Sequence, residues 1–326
     1  MDITAFSESI PLARPFAISR GVRTHCDVVR VEIHHLSHVA MGECTPYPRY
    51  GESVESVLTQ IHQIIPTLKT LSAAEAKVAL QKMPAGAARN ALDCALWDLI
   101  AKTDGLHFPS PYFDIRSQIE TAMTVSIDIP EKMAQQASDY IEQGATLLKV
   151  KLDDKDIVPR VTAVRRAAPE CKIILDANEA WQNEDLGELF SALEQLNITM
   201  IEQPVPKGQD GLLKEISHPI PICADESCHV RSDLSRLEGC YEMINIKLDK
   251  SGGLTEALAL EQEARAKGFS IMVGCMLGTS LAMKAALPIA TRAEIVDLDG
   301  PVLLGTDIPD GLIYQSGTLD LNNHQK

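Results

Sequence analysis

Two lysines, Lys149 and Lys151, sit inside an otherwise apolar, strand-like run, Leu147-Leu148-Lys149-Val150-Lys151-Leu152. On a strand, residues i and i+2 share a face, so the two ammonium groups project side by side. Mutual repulsion and desolvation both disfavour charge there, and one of the two pKa values is expected to fall. A lysine brought toward neutrality can serve as a proton-transfer base. An edge strand protected by two solvated lysines is the plainer alternative.

Acids recur at the ends of similar runs further along. Ile173-Ile174-Leu175 leads into Asp176, Met200-Ile201 into Glu202, and Ile222-Cys223-Ala224 into Asp225. Ile244-Asn245-Ile246 leads into Lys247, and Val296-Asp297-Leu298-Asp299 puts two carboxylates on one face. Taken singly, each acid is more simply a surface charge or a helix cap. Three of them at successive strand ends would repel one another without a cation between them. An oxygen-only donor set of this kind suits Mg²⁺ or Mn²⁺. Asp225 and Glu226 are neighbours and alternate in direction on a strand, so one of the two is expected to be a direct ligand.

The elements that must position these residues follow from texture. Between residues 116 and 300, short apolar runs recur at 121–127, 146–152, 172–176, 199–202, 220–225, 243–247, 270–274 and 295–299, with helical segments such as 130–144 and 254–268 between them. Eight such strands fit a (β/α)8-type barrel, whose buried parallel strands read as continuous apolar runs and whose functional groups converge at the C-terminal strand ends. A doubly wound open sheet is the alternative. Residues 1–115 read as one α+β unit, with an alternating strand at 28–34, a Pro- and Tyr-rich loop at 42–53, and helical periodicity at 54–71 and 85–101. Small residues along 90–98 suit close helix packing. Residues 116–304 make the barrel, and the segment 305–326, with hairpin-like turns, is expected to return to the first domain.

In a barrel, Lys151 on the second strand and Lys247 on the sixth face each other across the axis. A substrate carboxylate held on the cation would place its α-carbon between them. The cation stabilises the enediolate formed on proton removal. One lysine removes the proton and the other returns one to the opposite face, which is racemase or epimerase chemistry.

These residues resemble those of the enolase superfamily, in its muconate-lactonizing-enzyme-like subgroup; the use there of a lysine base with Mg²⁺ is a known pattern. The resemblance covers essentially the whole chain. It implies an α/β fold, a modified TIM barrel (β/α)7β, with an N-terminal α+β capping domain completed by the C-terminal segment. Lys149-Val150-Lys151 is similar to the subgroup's Lys-x-Lys motif, with Lys151 a base and Lys149 tuning it. Asp176, Glu202 and Asp225 resemble its metal triad, and Lys247 its second lysine. Asp297-Leu298-Asp299 looks like the signature of the dipeptide epimerases, which implies that both aspartates hold a substrate ammonium group. The stretches 42–53, 84–98 and 223–229 also look like that group. Arg23, in the loop before the strand at 28–34, is similar to the position that receives a glutamate side-chain carboxylate, with Arg20 the second choice. Thr124, in the first barrel strand, matches a substrate contact. The implied activity interconverts L-Ala-D-Glu and L-Ala-L-Glu, in the recycling of murein peptides.

Composition limits the alternatives. The 326 residues are 45% apolar, enough for a sizeable core, and carry a net charge of −15. With no basic run, nucleic acid and anionic membrane are excluded as expected partners. No signal-like start and no spanning apolar run are visible, and the eight scattered cysteines have no metal or disulfide spacing. They read as reduced residues of a cytoplasmic protein. A monomer and a homo-oligomer are both open. Three rivals share the scaffold: N-acylamino acid racemase, o-succinylbenzoate synthase and muconate cycloisomerase. None presents a free ammonium to Asp297 and Asp299. A Schiff-base aldolase would not need the acid triad, and a non-catalytic binding barrel would be expected to lack a base or a ligand.

Overall fold

The computed structural model describes residues 1–18 and 21–321; Arg20 and residues 322–326 lie outside them. The N-terminal unit opens with an antiparallel sheet of β1 (Asp2–Ile18), β2 (Gly21–His35) and β3 (His38–Cys44), in that order. Alternation on β2 does what a half-buried strand must: Val29, Val31 and Ile33 are fully buried. They pack on α1 (Val54–Leu68), α2 (Ala73–Leu80) and α3 (Ala87–Thr103). The small residues of α3 have a direct cause. A Cβ on Gly42 of β3 would stand 2.1 Å from the Ala91 carbonyl oxygen, so backbone meets backbone there.

A short strand, β4 (Gln118–Glu120), leads into the barrel. Its parallel staves are β5 (Met123–Val125), β6 (Leu147–Lys151), β7 (Lys172–Asp176), β8 (Met200–Glu202), β9 (Ile222–Ala224), β10 (Met243–Ile246), β11 (Ser270–Val273) and β12 (Ile295–Val296), paired in sequence order. The Ala122 N–H donates to the Val296 carbonyl at 2.8 Å and joins the last strand to the first. The crossovers include α4 (Pro130–Glu142), α5 (Ile157–Ala167) and α6 (Leu186–Glu194), then α7 (Leu234–Leu237), α8 (Leu248–Ser251), α9 (Leu254–Ala266) and α10 (Ser280–Ala290). Between β8 and β9 there is only a 3₁₀ turn at Asp210–Glu215.

One residue per stave fills the barrel floor: Ala122, Leu147, Ile174, Met200, Cys223, Met243, Met272 and Ile295 form a single buried cluster. This apolar layer fixes the parity of everything above it.

The C-terminal segment begins against the cap. It touches the cap where Gly305 N–H meets the Pro11 carbonyl and Leu304 bridges Leu12. It then leaves the cap, and β13 (Ile313–Gln315) and β14 (Thr318–Asp320) form a hairpin whose second strand pairs with β4. Leu319 and Leu321, buried beside Ile119 in the barrel's core cluster, draw it there. Cap and barrel are joined by an apolar cluster of Ile10, Cys26 and Val28 with Leu304, and by polar contacts: Asn90 Nδ2 and the Thr45 N–H both donate to Asp249 Oδ1 (2.9 and 3.1 Å), and Arg49 pairs with Glu179 (2.8 Å).

Candidate active site

Starting from the floor, every second residue again points inward. Leu147 is followed on its face by Lys149 and Lys151, Ile174 by Asp176, and Met200 by Glu202. Likewise Cys223 precedes Asp225, Met243 precedes Asn245 and Lys247, and Ile295 precedes Asp297 and Asp299. Nearly all these polar groups are buried: Asp176 and Glu202 completely, Lys149, Asp225, Lys247, Asp297 and Asp299 almost so. Lys149, Lys151, Asp225, Lys247, Asp297 and Asp299 line one cleft of about 690 Å³, counting the space open to solvent, together with Arg23, Tyr47, Tyr50 and Thr124, while Asp176 and Glu202 are not in its lining and touch it through Lys149.

Lys149 Nζ lies 3.0 Å from Asp176 Oδ2, 2.7 Å from Glu202 Oε2 and 2.8 Å from Asp297 Oδ2. Lys151 Nζ reaches the same Asp176 Oδ2 at 2.6 Å. Lys247 Nζ donates to Asp225 Oδ2 at 2.8 Å. A further lysine, Lys250, donates to Asp225 Oδ1 at 2.6 Å from the turn α8. Among the described residues, no group of three or more His, Cys, Asp or Glu side chains forms a ready-made metal site. Lysine nitrogens stand between the acids.

Lys149 is not a lysine brought toward neutrality. Burial by itself would depress the Lys149 ammonium, but Asp297, Glu202 and Asp176 outweigh it and raise its pKa well above the usual lysine value. Repulsion by Lys151 does not govern Lys149; three carboxylates do. Lys247 is raised too, since Asp225 and Glu202 more than offset its burial. Burial opposes ionisation of Asp176, yet Lys151 and Lys149 hold its pKa far below the normal range. Asp225 behaves alike beside Lys247 and Lys250. Glu202 goes the other way, pushed to about 7 by burial and by the charge of Asp176. Asp299 is pushed to about 7 by burial and by Asp297, although the Thr124 N–H donates to its Oδ2 at 2.8 Å.

Several site residues sit otherwise than their sequence suggested. Arg23 is on β2, paired with Phe16 of β1, rather than in a loop, because the first hairpin runs well beyond the alternating core of β2. Its guanidinium stacks over Tyr47 at 5.0 Å. Arg20 lies outside the described residues. Glu226, expected to turn away from Asp225, lines the same cleft, since β9 ends at Ala224 and strand alternation stops there. Asp297 has a cation beside it, because Lys149 reaches it from β6, two staves away past β5. Asn245 was legible from parity, lying between Met243 and Lys247 on one face of β10. Lys250 gave no such signal, being brought back by a helical turn.

A capped parallel barrel with lysines on opposite walls and acids on the strands between them defines an enolase-type enzyme. The chain belongs to that class: residues 1–108 match the mandelate racemase / muconate lactonizing enzyme N-terminal domain, and residues 132–323 match the enolase C-terminal domain-like family. The L-Ala-D/L-Glu epimerase of Escherichia coli is 50% identical over 98% of this chain and 99% of its own. An N-acetyl-D-glutamate racemase from Pseudoalteromonas is 45% identical over 85% of this chain and 88% of its own. A dipeptide epimerase from Cytophaga hutchinsonii, solved with Mg and D-Ala-L-Val, superposes with a TM-score of 0.88 at 30% identity, covering 97% of this chain and 92% of its own.

Proposed function

We propose that the chain is a dipeptide epimerase that interconverts L-Ala-D-Glu and L-Ala-L-Glu, with Lys151 and Lys247 as the two proton-transfer groups. The observation that carries this reading is the placement of Lys151 and Lys247 on staves four apart in an eight-stranded ring, both lining one cleft. Each lysine addresses one face of an α-carbon held between them. The lysine that starts neutral takes the proton, and the charged one delivers its own to the other face.

Asp176, Glu202 and Asp225 are the groups that hold a divalent cation, Mg²⁺ or alternatively Mn²⁺. Their fit rests on their chemistry: three buried carboxylates on consecutive staves, an oxygen-only donor set in which each acid turns one oxygen toward a lysine. When bound, such an ion polarises the substrate carboxylate and acidifies the α-proton, a Lewis-acid contribution of several kcal/mol. Lys149 balances the charge of Asp176, Glu202 and Asp297 in a dry site. Asp297 Oδ1 is buried without a hydrogen bond, and together with Asp299 it offers an acceptor to the substrate's ammonium. Arg23, stacked on Tyr47 at the mouth, receives the glutamate side-chain carboxylate, for which its planar fork is suited. Thr124 shapes the same wall and fixes Asp299. The all-L product is one that ordinary peptidases can cut, which fits a role in murein peptide recycling.

A second reading has specific support. The N-acetyl-D-glutamate racemase is nearly as similar, and Lys149 already neutralises one oxygen of Asp297. The two readings separate on one comparison: L-Ala-L-Glu and N-acetyl-L-glutamate incubated in D₂O, with mass gain at the glutamate α-carbon followed. Preference for the dipeptide by 10-fold or more is expected. The reverse preference would move the assignment to an N-acylamino acid racemase.

A further inference from the structure

Each acid of the triad has its two oxygens in different company. Asp176 Oδ1 accepts from the Asn178 backbone N–H at 2.9 Å, while Oδ2 faces Lys149 and Lys151. Glu202 Oε1 accepts from Asn245 Nδ2 at 2.7 Å, while Oε2 faces Lys149. Asp225 Oδ1 accepts from Lys250 Nζ at 2.6 Å, while Oδ2 faces Lys247. One oxygen of every carboxylate is therefore tied back, and one is turned toward the lysines of the cleft.

We infer that Asn245 and Lys250 are positioning residues that hold Glu202 and Asp225 to one inward oxygen each, and so bias the site toward a small six-coordinate cation over Ca²⁺. The inference rests on the proposed cation site. Ca²⁺ takes six to eight oxygens and readily recruits carboxylates through both, whereas Mg²⁺ takes an octahedron from few carboxylates. Tying back the second oxygens removes the option Ca²⁺ uses.

Both residues are built for the task. Asn245 is fully buried, and a Cβ on Gly274, just past the end of β11, would fall 2.7 Å from its Oδ1, so the glycine keeps the amide's place open. Lys250 is equally inaccessible. Its ammonium donates to Asp225 Oδ1, the Asp225 carbonyl (2.6 Å) and the Asn245 carbonyl (2.8 Å), which uses all three of its protons. It is a fixed cation, unable to swing into the cleft. Outer groups of this kind commonly set how a ligand presents itself to a metal.

The test is calorimetric titration of the chelator-stripped, full-length protein with Mg²⁺ and with Ca²⁺, for the wild type, Asn245→Leu and Lys250→Met. Deleting the Lys250 charge strengthens both ions alike, so the quantity read is the ratio of the two dissociation constants. That ratio, Ca²⁺ over Mg²⁺, is expected to fall by about 10-fold or more in each variant as the freed oxygen becomes available. An unchanged ratio in variants that still bind Mg²⁺ would overturn the inference alone. A wild type that binds neither ion would overturn the cation site itself. Should Lys250→Met fail to fold, Asn245→Leu and a crystal of the wild type loaded with Ca²⁺ decide the matter. One oxygen from each of Glu202 and Asp225 on the ion is expected, and two from either would refute the inference.

Discussion

Asp249 gives a sharp prediction about how cap and barrel are held together. Its carboxylate is buried between α8 and the cap, and burial pushes its pKa from 3.8 up to about 7, against the help of Asn90 and the Thr45 N–H and with the added push of Glu52 and Glu43. In the unfolded chain the same acid ionises near pH 4, so the folded form is the one that resists losing the proton. The folded state is thus most favoured, as far as this group goes, below about pH 4. It loses ground as pH rises through 7, and above that the full cost remains. Three pH units at about 1.4 kcal/mol each set that cost at ~4 kcal/mol. Asp249→Asn keeps an oxygen to accept from Thr45 and Asn90 but never ionises. Chemical denaturation from pH 4 to pH 8, at constant metal content, should show the variant gaining on the wild type by ~2–4 kcal/mol across that range. Parallel stability curves would mean that Asp249 is not held near neutrality, and that the joint tolerates a buried charge.

Other outcomes follow from the site. Arg23→Ala should lower kcat/KM for L-Ala-L-Glu by about 10- to 100-fold, the worth of a charge-assisted hydrogen bond, and leave an apolar dipeptide such as L-Ala-L-Leu nearly unchanged; equal losses on both would make Arg23 structural. Asp297→Asn should weaken use of the free dipeptide by a similar factor, and a loss no greater for the dipeptide than for its N-acetyl form would refute an ammonium-reading role. Asp176→Asn should weaken Mg²⁺ binding and activity together, and exhaustive chelation of the wild type should abolish turnover until Mg²⁺ is returned. Full activity in stripped protein would end the metal reading.

Much of the fold was legible because a barrel repeats itself: each stave is an apolar run ending in a polar group, and the floor residues set a parity that carries upward to Lys151, Asp176, Glu202 and Lys247. Where repetition stops, legibility stops. β1 was missed because Ser7, Glu8 and Ser9 interrupt its alternation and Pro11 and Pro15 follow, leaving only Ile3 and Ile10 fully inside among its described side chains. The eight-residue α2 has little amphipathic signal, although Ser72 and Glu75 form a capping box that marks its start. The charge state of Lys149 could not be read from its neighbours in sequence, since its partners Asp176, Glu202 and Asp297 come from three other staves. Lys250 escaped because the single turn α8 folds it back onto Asp225 and the Asn245 carbonyl, which no strand alternation signals.

The central claim is that two lysines serve opposite faces of one carbon, and deuterium exchange tests it most directly. Lys151→Ala and Lys247→Ala should each lose epimerisation by at least the roughly 10²–10⁴ typical of a general acid–base group. Each should nonetheless keep slow exchange of the α-proton in D₂O with one epimer, a different one in each variant, because the remaining lysine can remove and return a proton on its own face. Exchange of both epimers at equal rates in either variant would contradict the two-face arrangement and require a single base.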